Sequence, residues 1–99
     1  MINRIKENEE KLDNINNFLE ELTNILEKYP KIKKELKDLN KYYGSKKWFN
    51  DLNNYEKGSI PKIKAGVLSE DGIWNTNEKW NEVISDLSKL IEKENNNEL

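Results

Sequence analysis

The 99-residue chain contains no cysteine and no histidine, and has only four glycines and two prolines. Without thiols no disulfide can form. Without imidazole or thiolate the common zinc ligands are missing, and neither a Cys-His pair nor a Ser-His-Asp triad can be assembled. No metal, cofactor or catalytic residue is therefore expected. No apolar run approaches the roughly 18 residues of a membrane span. The segment after Met1 turns into a Glu-rich amphipathic stretch rather than an apolar leader, so a cytoplasmic protein with no membrane partner is expected.

Charge of one sign is also scarce in sum, since 17 basic residues face 19 acidic ones. The mean hydropathy of −1.04 would suit a disordered chain, but disorder usually needs a large net charge. Leu, Ile, Val and Phe number 25 of 99, enough for a thin core. Lys, Asn and Ile together contribute 42 residues, a bias that AT-rich coding produces, as in a low-GC bacterium or its phage.

The apolar residues lie on helical stripes. Ile5, Leu12, Leu19 and Leu26 fall seven apart, and Ile15, Leu22 and Tyr29 form a second seven-residue series in which Asn8 holds the preceding place. These are positions a and d of a heptad, with Phe18 and Ile25 widening the stripe at g, which favours a globular bundle over an extended dimeric coil, although the two can coexist. Tyr29-Pro30 predicts a break and a tight hairpin, because the residue before proline is pushed out of helical geometry and proline suits a helix start. Ile32, Leu36, Leu39 and Tyr43 predict a second helix closed by Gly44. Ser45 then caps a short third helix carrying Trp48, Leu52 and Tyr55, stopped at Gly58.

Residues 58–66 read as an ordered loop around Ile60, Pro61 and Ile63. Ser69 with Glu70 and Asp71 predicts the start of the last helix, against which Gly72 counts, and Asn75-Thr76-Asn77-Glu78 offers a competing start. Ile73, Trp80, Ile84, Leu87 and Ile91 form its stripe in either case. The expected fold is all-α, a small antiparallel helical bundle with long first and last helices, of about 28 and 25 residues, and two shorter helices between them. One helical domain is expected over residues 1–94, with 95–99 a frayed tail. The first and last helices are natural partners for each other, and so small a core makes a homodimer a plausible way to bury more surface.

Tyr42-Tyr43-Gly44-Ser45, then Trp48, Asp51, Glu56, Gly58 and Pro61, and finally Gly66-Val67-Leu68-Ser69-Glu70-Asp71 resemble the signature of the bacterial domain of unknown function 4298 family. The similarity spans essentially the whole chain and includes a long amphipathic helix before the Tyr-Tyr-Gly-Ser element. It departs after Asp71, where Gly72-Ile73-Trp74-Asn75-Thr76-Asn77 is a weaker helix former than the family pattern implies. The resemblance implies a small helical protein and brings no activity with it.

Asp51, Glu56, Glu70 and Asp71 fall inside these motifs, and paired carboxylates can serve acid–base chemistry or hold Mg²⁺. Helix capping and lysine pairing explain them more simply, because no base, nucleophile or phosphate loop accompanies them. The charge is segregated, with net values of −4 over residues 1–27, +6 over 28–47, +1 over 48–64 and −5 over 65–99. Lys28, Lys31, Lys33, Lys34, Lys37, Lys41, Lys46 and Lys47 make the basic block, next to Tyr42, Tyr43 and Trp48. Such a block could grip phosphates and stack bases. It contains no arginine, however, and a solvated lysine face is the plainer reading. Trp48 and Trp80 sit on apolar stripes and are expected in the core. Trp74 lies off the stripe, where it either packs against Gly66-Val67-Leu68 or stays exposed as a contact anchor.

The expected function is that of a non-enzymatic helical interaction module, with a protein partner or a second copy meeting the outer helices and the region of Tyr42, Tyr43, Trp48, Glu70, Asp71 and Trp74. Two alternatives stand beside it. One is a phage-type inhibitor, anti-CRISPR-like, that binds and blocks a nucleic-acid-guided nuclease, on compositional analogy alone. The other is nucleic-acid binding through the lysine block.

Overall fold

A computed structural model of the protein describes residues 1–96. It is all-helical among the described residues: α1 (Ile2–Tyr42), α2 (Lys46–Glu56) and α3 (Glu70–Asn95), with one 3-10 turn at Gly66–Leu68. The chain divides into two compact units, Met1–Leu39 and Asn40–Leu99.

The first unit is helical throughout, and here the expected hairpin is corrected. Pro30 lies inside α1, so the two helices predicted for residues 2–43 are one helix of 41 residues, and the described chain has three α-helices instead of four. Proline in a helix interior removes one N–H and presses its ring on the carbonyl four residues back, here Leu26, at a cost of about 3 kcal/mol. That local cost does not reverse the chain, because Leu, Lys and Glu, all good helix formers, flank it and neither glycine nor a capping residue stands beside it. The stripe itself carries the sign of continuity. Leu36 and Tyr43 follow Leu22 and Tyr29 at intervals of seven, so the heptad keeps its phase through Pro30. A hairpin has no reason to preserve that phase.

No residue of α1 is buried. The large apolar side chains from Ile5 to Ile32 are all between 38% and 72% exposed.

The second unit closes around Trp48 and Ile73, which are 2% and 4% exposed and are the buried residues of the described chain. Its helix ends are built as the sequence predicts. Gly44 takes a positive φ of 76°, which only glycine adopts freely, and Ser45 accepts a hydrogen bond from the Trp48 amide at 3.2 Å to cap α2. At the other end, the Gly58 amide donates to the Tyr55 carbonyl and the Ser59 amide to the Asn54 carbonyl. This double bond pattern satisfies two orphan acceptors of α2.

Ser69 caps α3, accepting from the Gly72 amide at 3.4 Å, with Glu70 and Asp71 in the first turn beside the positive end of the helix dipole. The competing start at Asn75 is not used. Gly72 weakens the helix intrinsically, but a Cβ there would stand 3.1 Å from the Gly66 carbonyl oxygen, so the residue allows the 3-10 turn to approach α3 closely. Beyond Ile73 the stripe of α3 opens to solvent: Trp80 is half-buried rather than core, and Ile84, Leu87 and Ile91 are exposed. Helix α3 reaches Asn95 with Asn96 as its C-cap, and the rest of the expected frayed tail, 97–99, lies outside the described residues.

Candidate functional site

The residues singled out in the central motifs converge on the α1–α2 turn and the 3-10 turn. The Tyr42 carbonyl accepts from both the Ser45 amide at 3.0 Å and the Ser45 hydroxyl at 2.6 Å, tying the end of α1 to the start of α2. The Tyr42 phenol donates to Asp51 Oδ2 at 2.5 Å. This hydrogen bond, then burial and the Asp51 charge, raise the phenol above its ordinary pKa of 10.0, because the protonated form is the donor. The Trp48 indole N–H donates to the Val67 carbonyl at 2.8 Å. Tyr43 and Phe49 meet the Trp48 ring edge-on, with centroids 5.0 and 4.9 Å away. Tyr-Tyr-Gly-Ser is thus a stop–turn–start element, and Leu-Ser-Glu-Asp is the exit of the 3-10 turn joined to a helix cap.

Beside the Tyr42–Asp51 pair lies a cleft of about 180 Å³ lined by Tyr42, Asp51, Asn54, Tyr55, Ile60, Ile63, Lys64, Ala65, Val67 and Leu68. Its volume is below the roughly 300 Å³ at which small-molecule sites begin, and half of its lining residues are aliphatic. It suits a single side chain better than a substrate. Glu56, Glu70 and Asp71 are exposed, and among the described residues no three acidic side chains converge as a metal site would need.

The lysine block is divided between the units. Lys28, Lys31, Lys33, Lys34 and Lys37 belong to the first, and Lys41, Lys46 and Lys47 to the second. All are exposed except half-buried Lys33, and Lys31 pairs with Glu35 across one helical turn at 3.9 Å, both in solvent. Trp74 is 64% exposed, which settles the open choice in favour of the surface.

A contact that sequence reasoning misses is the reciprocal amide pair of Asn40 and Asn77, each donating to the other's side-chain oxygen at 3.0 and 2.9 Å. Asn77 also donates to the Ile73 carbonyl. In the sequence Asn77 reads as part of a helix start, and with 16 asparagines in the chain nothing distinguishes it as one half of a pair 37 residues apart.

These features define a small all-helical protein in which the motif residues build helix junctions around one buried tryptophan. The chain belongs to the family described as a domain of unknown function (DUF4298), whose model it matches over residues 5–93. No curated protein and no solved structure matches it. Among the described residues no helix is long and apolar enough to cross a membrane.

Proposed function

We propose that the protein is a non-catalytic helical interaction module whose contact surface is the apolar face of α1. One observation carries this reading. Ten large apolar side chains recur on that face from Ile5 to Ile32, and every one is substantially exposed. Scattered surface apolar residues need no explanation, but a contiguous stripe of this length marks a site that something covers. Fully burying one such side chain is worth roughly 1.5–3 kcal/mol, so completing the burial of ten half-exposed ones contributes on the order of 10 kcal/mol. A matching apolar face on the partner contributes a similar amount, and the two together exceed the roughly 4–15 kcal/mol that association costs in lost freedom. In this reading the bundle expected from the heptads is completed by the partner. The motif residues hold the second unit together and leave the contact to α1.

The test is affinity capture from cells of the source organism with the native chain and with a Leu12→Glu, Leu19→Glu, Leu26→Glu variant. The native chain alone should retain a partner, whether foreign or a second copy, while near-ultraviolet dichroism of the Trp48 cluster stays unchanged. Identical capture by both chains would remove α1 as the contact surface.

A second reading draws on the exposed lysines at positions 31, 34 and 37, spaced three apart and so sharing one helix face. It places phosphate contacts there. Gel-shift affinity should then fall steeply with salt and vanish when Lys31, Lys33, Lys34 and Lys37 become Glu. No shift at low salt ends it.

A further inference from the structure

We propose that the cleft beside Tyr42 and Asp51 is a docking site for an acidic peptide segment of a partner protein, anchored there by one apolar side chain of phenylalanine size. The site lies wholly in the second unit and does not rest on the reading of α1.

Size and lining select the anchor. An apolar cavity of about 150 Å³ accommodates benzene. The cleft, at about 180 Å³, therefore takes one phenyl ring or branched aliphatic side chain and is too small for a cofactor or a nucleotide. One wall comes from residues 59–65, which form neither helix nor strand, and from the 3-10 turn that follows them. Ile63 and Val67 in that wall are 63% and 43% exposed, so apolar surface continues from the cleft out to solvent.

Charge selects the rest of the peptide. From Lys57 to Lys64 the chain has three lysines and no acidic residue. Lys57, Lys62 and Lys64 are exposed, and none of them forms an ion pair among the described residues. The acid in the cleft wall, Asp51, is already engaged by the Tyr42 phenol. Carboxylates on either side of the anchor complement this unbalanced cluster, in a chain whose net charge is −2. The backbone is open as well. The amides of Ile60, Lys62, Ile63 and Lys64 donate to nothing among the described residues, so a crossing extended segment can set its carbonyls against them. Phosphates also attract lysines, but they make no use of an apolar cleft one side chain in size, and the cluster has no arginine to hold them bidentately.

The test is fluorescence anisotropy of a labelled, end-blocked peptide, Glu-Glu-Phe-Glu-Glu, titrated with the full chain up to about 1 mM. Binding should saturate, weaken about tenfold or more when the peptide's phenylalanine becomes alanine, and weaken several-fold when salt rises from about 50 to 500 mM. Lys62→Glu with Lys64→Glu, both at the surface, should abolish it. Val67→Phe, which fills the cleft, should do the same while near-ultraviolet dichroism of the Trp48 cluster stays native; if that variant misfolds, the lysine pair and the alanine peptide decide. Absence of saturation overturns the proposal, as does equal binding of Lys-Lys-Phe-Lys-Lys. So does a single-stranded oligonucleotide that binds more tightly than the peptide and is lost with the same lysines, since the cluster then serves phosphates. If the peptide is ignored and Lys62→Glu with Lys64→Glu instead shifts the sedimentation of the chain, the occupant is a second copy and the partner peptide falls.

Discussion

Tyr42 shows how much one side chain can join. Its carbonyl receives both the amide and the hydroxyl of Ser45, and its phenol binds the Asp51 carboxylate. Tyr42→Phe removes the last of these bonds alone, and we expect a loss of about 1 kcal/mol at neutral pH, read from urea denaturation. The pH dependence has a definite sign. Because Asp51 raises the phenol's pKa in the folded chain, the stabilisation is complete below the unfolded value near 10.0 and is lost as pH rises through the folded value. The native chain and Tyr42→Phe should therefore differ by a constant amount from neutral pH to about pH 9 and converge as the pH rises above about 10 through the folded value. Trp48 is the larger stake. Trp48→Ala deletes the fully buried side chain of the second unit and leaves the Val67 carbonyl without its donor, so a loss of about 3–5 kcal/mol is expected, enough to unfold that unit in a near-ultraviolet dichroism scan.

At the scale of elements, Pro30 is the informative residue. Since α1 runs through it, Pro30→Ala restores an N–H to the Leu26 carbonyl and removes a ring clash, and should stabilise α1 by up to about 3 kcal/mol. The measure is ellipticity at 222 nm together with slower amide exchange near residues 26–34; a fall in ellipticity would point back to a chain reversal. The helix ends around α2 and α3 are legible in the sequence because Gly44, Ser45, Gly58 and Ser69 each satisfy a local backbone need that depends on a few neighbouring residues. Pro30 misleads because its local preference competes with heptad phase, a signal spread over some forty residues, and the phase prevails. The Tyr42–Asp51 and Trp48–Val67 bonds belong to a third kind. Their residues stand out, but their partners depend on how α2 folds back on the end of α1 and the 3-10 turn on α2, which no spacing encodes.

For the whole molecule, scarcity of core is the governing fact. Trp48 and Ile73 are the buried residues of the described chain, and both belong to the second unit. The first unit is a helix long enough to propagate well beyond the roughly 12–15 residues at which isolated helices become marginal, yet none of its residues is fully buried. Its stability should then depend on association, and association follows mass action. For a dimer, a hundredfold rise in concentration shifts the balance by about 2.7 kcal/mol. The chain separates the two readouts by itself, because Trp48, Trp74 and Trp80 all lie in the second unit while α1 supplies much of the helical signal. Melting followed at 222 nm should move upward with concentration, whereas melting followed by tryptophan emission should move less. Leu19→Glu, in the middle of the exposed α1 stripe, should lower the 222 nm transition and make it independent of concentration while leaving the tryptophan transition in place. If both probes melt together at every concentration in the native chain, the two units share one cooperative core and α1 does not depend on a partner for its stability.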